Sequence, residues 1–175
     1  VIPSREEQIN VHGMDNYLVW KENRDNDENR PDTIARQYKD RVAFTVTQNC
    51  GIYCRHCFRK ELVVDGNLEL DFNVEDGLDW IAMHPEVRDV LITGGDPLLL
   101  PDEKIAYLIE RLRGISHIEM IRIGSRVPIV MPQRITENLK SILGEYHRVP
   151  IWINTQCNHP KELTEEVAWA VFDLM

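Results

Sequence analysis

The chain has 175 residues, carries a formal net charge of −9 and is 43% hydrophobic. That length supports one domain with a real core. The acidic balance argues against nonspecific binding to nucleic acid or anionic membranes, and no segment approaches the ~20 apolar residues of a membrane span.

The N-terminus, Val1 to Glu7, is charged and does not read as a signal peptide, so a cytoplasmic location is expected. The chain starts at Val1 and stops at Met175 inside a helical pattern with no stop signal. It therefore reads as the front part of a longer protein. Residues 1–40 read as an irregular, polar N-terminal extension and residues 41–175 as the core. In the extension, Asp15 to Trp20 could be a short helix or strand, and the Asn-, Asp- and Glu-rich stretch from Lys21 to Asp32 reads as a solvated linker.

From Arg41 the pattern is regular. Val42 to Thr47 is rich in β-branched residues and predicts a buried strand. Val74, Leu78, Ile81 and Ala82 then share one helical face. Asp89 to Thr93 predicts a second strand, and Ile105, Leu108, Ile109 and Leu112 a second helical stripe. Glu119 to Ile123 and Pro150 to Asn154 predict two more strands. Ile135, Leu139, Ile142 and Leu143 form the stripe between them, and Leu163, Val167, Val171 and Leu174 the last one. This alternation predicts an α/β fold of about four βα units on a parallel sheet. Periodicity alone does not choose between an open doubly wound sheet and part of a (β/α) barrel. Both put functional residues just after the strands. The polar motifs lie there: Gln48 to Cys57, Gly94 to Pro97, Gly124 to Pro128 and Thr155 to Pro160.

Cys50, Cys54 and Cys57 have the spacing C-x3-C-x2-C. Thiolates suit iron–sulfur clusters, zinc and Cu(I). Three cysteines on one loop can hold three irons of a [4Fe-4S] cluster and leave the fourth open to a ligand. A structural zinc site with His56 or His159 as fourth ligand is the plainer alternative, though zinc sites usually use two separated pairs. An electron-transfer cluster would need Cys157 as the fourth ligand, and a lone cysteine after a strand is more often a small hydrophobe. The spacing favours the open cluster.

The surrounding residues carry a resemblance. Cys54-Arg55-His56-Cys57, Leu91 to Leu98, Arg122 to Pro128 with Pro132 to Thr136, and Asn154-Thr155 with Asn158-His159-Pro160 occur in this order. From about Tyr38 to Glu166 the sequence resembles the lysine 2,3-aminomutase family of radical S-adenosylmethionine (SAM) enzymes. The resemblance implies a partial (β/α) barrel and an amino-acid 2,3-aminomutase, an isomerase. In that chemistry a [4Fe-4S] cluster and SAM generate a 5'-deoxyadenosyl radical, which drives a 2,3 shift of nitrogen on a substrate carried by pyridoxal 5'-phosphate (PLP).

It also implies roles for single residues. Cys50, Cys54 and Cys57 hold the cluster. Gly94, Gly95 and Asp96 contact the amino group of SAM, Ser125 and Arg126 help position SAM, and His56 lies near its adenine. Arg59 grips the substrate carboxylate, and Tyr38 and Arg41 help hold PLP. Each has a bland alternative: a tight βα turn for Gly94 to Asp96, an ion pair for Arg126, a solvated loop residue for His56 and a core-edge cap for Arg41. Lys60 and Arg55 read as surface charges. The chain departs from the family at Gln156 and Cys157, where an aromatic pair is usual, and a histidine at the position of Gln156 would contact SAM. The lysine that binds PLP and the acids that recognise a lysine substrate lie farther downstream in the family than Met175, so a chain ending there is expected to be inactive. The implied partners are a small amino-acid substrate and an electron donor of flavodoxin or ferredoxin type, with a homo-oligomer left open. The competing readings are a radical SAM enzyme without PLP chemistry and a structural metal-binding or electron-transfer module.

Overall fold

The computed structural model describes residues 27, 29–57, 59, 73–145 and 148–175. The segment Asp15 to Trp20, most of the stretch from Lys21 to Asp32, and Lys60 lie outside these residues. The strands are β1 (Ile34–Tyr38), β2 (Arg41–Thr47), β3 (Asp89–Gly94), β4 (Met120–Gly124) and β5 (Ile151–Asn154). The helices are α1 (Val74–Met83), α2 (Asp102–Gly114), the single turn α3 (Val127–Val130), α4 (Glu137–Gly144) and α5 (Glu165–Asp173). Short 3-10 turns follow β3, α3 and β5 at Pro97–Leu99, Pro132–Arg134 and Pro160–Glu162.

The five strands form one sheet in the order β1-β2-β3-β4-β5. β2 to β5 are parallel and β1 is antiparallel to β2. An order without reversal decides what periodicity could not. Right-handed crossovers that always step the same way lay their helices on one face, as in a (β/α) barrel. A doubly wound sheet reverses its order and covers both faces. The fold is a partial (β/α) barrel, and the described sheet is open.

The register explains the strand sequences. Val42, Val90, Ile121 and Ile151 line up across the sheet, as do Phe44, Ile92, Ile123 and Ile153. Val42, Phe44, Val90, Ile92, Ile121 and Ile123 are at most 2% exposed and join Leu78, Ile81, Leu108 and Leu112 of the helices in one core. Truncating a side chain like Phe44 to Ala in such a core typically costs about 3–5 kcal/mol. By strand alternation the other face carries Arg41, Ala43, Thr45 and Thr47 from β2 and Arg122 from β4. There Arg122 Nε donates to Asp89 Oδ1 at 2.8 Å. One face of the sheet is thus a dry core and the other is mixed, with Ala43, Leu91 and Trp152 in one row with Arg122.

Three of the helix starts, those of α1, α4 and α5, are capped by side chains. Asn73, Thr136 and Thr164 accept from the backbone N–H groups of Glu75, Leu139 and Val167. Three features differ from the sequence expectation. Ile34–Tyr38, read as the end of an irregular extension, forms β1 and pairs with β2. On α1 the buried face includes Trp80, whereas Ala82 is exposed. Trp80 is drawn in because its ring stacks on His84 at 3.7 Å and its Nε1 donates to Asp27 Oδ2 at 2.9 Å. The last stripe is only partly covered: Val167 and Ala170 are buried, but Leu163 is exposed.

Candidate functional site

The C-terminal ends of β2, β3, β4 and β5 lie side by side, and the loops leaving them carry the polar motifs. The loop after β2 holds Cys50, Cys54 and Cys57, all half-buried, while Cys157 is exposed. Backbone bonds fix this loop against the one after β3. Gly95 N donates to Thr47 O and Asp96 N to Asn49 O, both at 2.6 Å. These two contacts explain the glycines. Gly94 has a φ of +131°, a region that side chains rarely adopt, and a Cβ on Gly95 would overlap the Asn49 carbonyl. The close approach is between two loops of the chain itself.

Asp96 is 5% exposed and serves as a clasp between the loops after β3 and β4. Its Oδ1 accepts from Ser125 Oγ at 2.6 Å and from Leu98 N at 3.2 Å. Its Oδ2 accepts from Arg126 N at 2.8 Å and from Val127 N at 3.2 Å. A carboxylate offers about four acceptor positions. All four are taken, so this geometry does not reserve Asp96 for the ammonium group of a ligand.

Arg126 reaches from β4 to the cysteine loop and to the turn after β5. Its Nη1 lies 2.9 Å from Cys54 Sγ. Its Nη2 meets Glu162 Oε1 and Oε2 at 2.9 and 3.0 Å. Burial alone would depress this guanidinium, but the bonds to Cys54 and Glu162 outweigh it and raise its pKa. Arg126 Nε is buried with no hydrogen-bond partner among the described residues. Arg59 lies over the end of β3, with Nη2 donating to Thr93 Oγ1 at 2.7 Å. Burial lowers its pKa, while the charges of Cys57 and Cys50 act to raise it. Burial pushes the Cys50 thiol up to about 11, helped by the nearby charge of Asp96.

Gln156 Nε2 lies 3.0 Å from His56 Nε2. His159 Nδ1 accepts from Lys161 N in its own turn. Each histidine expected as an alternative zinc ligand thus has one ring nitrogen in a contact away from the cysteines. Among the described residues, no three His, Cys, Asp or Glu side chains converge on a point that could hold one metal ion. Three thiols at the spacing C-x3-C-x2-C on one loop are a donor set that fits an iron–sulfur cluster. In such a cluster each thiolate takes a different iron, and the guanidiniums of Arg126 and Arg59 flank the cysteine loop with positive charge.

Of the residues singled out in the sequence, Cys50, Cys54, Cys57, His56, Arg59, Gly94, Gly95, Asp96, Ser125 and Arg126 gather at this end of the sheet. Tyr38 and Arg41 do not. They sit where β1 turns into β2, and the rest of β2 from Val42 to Thr47 separates them from the cysteine loop, roughly 20 Å of strand. Arg41 there donates to Asp40 at 3.1 and 3.2 Å, and its guanidinium lies 5.4 Å from the Tyr38 ring centroid. Sequence reasoning missed Glu162. Its signal was faint: a carboxylate three residues beyond His159, with no mark of its partner 36 positions earlier.

The profile of the Radical SAM superfamily matches residues 44–156. An L-lysine 2,3-aminomutase of Acetoanaerobium sticklandii is 50% identical over 134 residues, covering 76% of this chain and 32% of that protein. One from Fusobacterium nucleatum is 44% identical over 158 residues, covering 89% of this chain and 36% of its own. A glutamate 2,3-aminomutase of Clostridioides difficile is 40% identical over 134 residues, covering 76% of this chain and 31% of its own. The chain spans about a third of the length of the curated relatives it matches. With a profile match from β2 through the loop after β5, the chain belongs to the radical SAM superfamily.

Proposed function

We propose that Cys50, Cys54 and Cys57 hold a [4Fe-4S] cluster with one iron open to SAM, in a protein that is an amino-acid 2,3-aminomutase. The observation that carries this reading is the cysteine loop itself. Three half-buried thiols sit at the C-terminal end of a parallel sheet, pinned by Gly94 to Asp96 and touched by Arg126. The likeness to lysine and glutamate 2,3-aminomutases supports the reaction class and a small L-α-amino acid as substrate. When bound, the cluster and SAM supply one-electron cleavage of a C–S bond and a hydrogen-abstracting radical, and PLP supplies a carbonyl that carries the amino acid.

The chain's own residues position and shield. Gly94 and Gly95 let the cysteine loop lie against β3, and Asp96 holds Ser125 and Arg126 beside it. Ser125, Arg126 and His56 are the residues proposed to orient SAM, with Asp96 acting through the loop it clasps. Arg59 is proposed to take the substrate carboxylate, since a planar guanidinium matches that group. Tyr38 and Arg41 offer PLP only a phosphate-binding pair, at the far end of the same strand. A reduced flavodoxin or ferredoxin in the cytoplasm is the proposed electron donor.

One observation favours a second reading, radical SAM chemistry without PLP: Arg41 is already paired with Asp40. Full-length protein that cleaves SAM but binds no PLP would select that reading. The cluster is tested by anaerobic reconstitution, with about four irons per chain expected. Cys54→Ala should abolish the cluster and Cys157→Ala should retain it. One tightly bound zinc, or cluster loss in Cys157→Ala, would overturn the assignment.

A further inference from the structure

We propose that Glu162 is a positioning residue: it locks Arg126 so that one guanidinium N–H stays on the Cys54 sulfur, and it thereby helps set the reduction potential of the cluster. The inference rests on the cluster reading above. Three loops meet in this contact. Cys54 comes from the loop after β2, Arg126 from the end of β4, and Glu162 from the 3-10 turn after β5. Glu162 spends both oxygens on Arg126 Nη2, and Asn158 N donates to Oε2 at 2.8 Å, so the carboxylate is itself held. The arginine side chain is 10% exposed and that of Glu162 26%. A guanidinium is a rigid plane. Once Nη2 is clamped, the direction of Nη1 follows, and that direction is toward Cys54 Sγ at 2.9 Å.

Hydrogen bonds to cluster sulfurs tune the potential, and groups behind the ligands are as much a part of the site as the ligands. A donor on a ligating sulfur favours the more electron-rich, reduced cluster. If Glu162 is lost, Arg126 is no longer held and the bond to Cys54 weakens, so the cluster becomes harder to reduce. Removing the negative charge of Glu162 has by itself the opposite sign. The sign of the shift therefore separates positioning from simple charge.

The experiment is a redox titration of full-length, anaerobically reconstituted protein, followed by the paramagnetic signal of the reduced cluster. Wild type, E162Q, R126Q and the double variant are compared. At a fixed ambient potential, E162Q should lower the reduced-to-oxidised ratio about tenfold, the scale of one charge-assisted hydrogen bond. R126Q should shift it the same way, and in the R126Q background, where no guanidinium is left to position, E162Q should lower it no further. An unchanged or raised ratio in E162Q, or additive shifts in the double variant, would overturn the proposal. E162D keeps the charge with a shorter reach. It should fall between wild type and E162Q, and it decides alone if E162Q does not retain its iron. A wild type that takes up no cluster would instead overturn the cluster reading.

Discussion

An aspartate ties each end of the sheet, and the two ties differ in kind. Asp96, at the C-terminal end, is buried and holds one hydroxyl and three backbone N–H groups. Asp40, at the opposite end, has a side chain 34% exposed between two arginines, with Arg41 Nε at 3.1 Å and Arg88 Nε at 3.2 Å. The first tie uses neutral donors in a dry place, where an unmade bond is costly and geometry is fixed. The second uses opposite charges in water, where salt screens them and side-chain entropy opposes them. The chain puts its rigid tie beside the cysteines and its soft one away from them.

Breaking the rigid tie should have the largest effect. Asp96→Ala strands the N–H groups of Leu98 and Arg126 in a buried place and leaves Ser125 Oγ and Val127 N only each other, at 3.0 Å. Each such group costs about 1–3 kcal/mol, partly relieved by water entering the gap. We expect a loss of about 4 kcal/mol in urea denaturation, nearly independent of salt, with iron retention falling alongside. A loss under about 1 kcal/mol would show that the clasp is not where the loops are held. Gly95→Ala should come next. The added methyl meets the Asn49 carbonyl, which is backbone and cannot swing aside. A cost of about 2 kcal/mol is expected from strain of this kind. Its signature is an iron content that falls although all three cysteines are present. Full iron loading in Gly95→Ala would mean that the loop tolerates displacement.

The contrast also shows what the sequence made legible. The cysteine spacing was local and could be read directly. The four βα units were periodic, with boundaries within about one residue, because Val42, Val90, Ile121 and their row-mates must all face the helices. β1 was not legible. Ile-Ala-Arg-Gln-Tyr has one fully buried residue, Ile34, and an edge strand with one buried contact leaves almost no alternation to read. Asp96 was legible as a residue of interest but not in its role, since three of its four donors come from positions 29 to 31 residues downstream. Glu162 was barely legible for the same reason. Spacing reports what lies on one turn or one strand, whereas the C-terminal face of this sheet is assembled from loops that only the strand order brings together.

The smallest effect belongs to Asp40. The hydrogen bond from Arg41 is the main cause that holds its carboxyl at about 2, below the ordinary 3.8. A depressed carboxyl stabilises the folded state above its unfolded pKa and loses that contribution as pH falls through the folded one. The Asp40 share is therefore complete above about pH 4 and gone below about pH 2. Asp27, Glu75, Glu86, Asp102 and Glu162 are also held below their ordinary values, so the acid slope has several contributors. Asp40→Asn should flatten the dependence of stability on pH between about 4 and 2 without abolishing it. At neutral pH the variant should be only slightly less stable than wild type. That difference should shrink in 1 M salt, where the screening length falls to about 3 Å. If it persists in high salt, Asp40 acts through its hydrogen bonds, as Asp96 does, and the two ends of the sheet are tied alike. An unchanged acid slope would show that Asp40 is no better held in the folded chain than in the unfolded one.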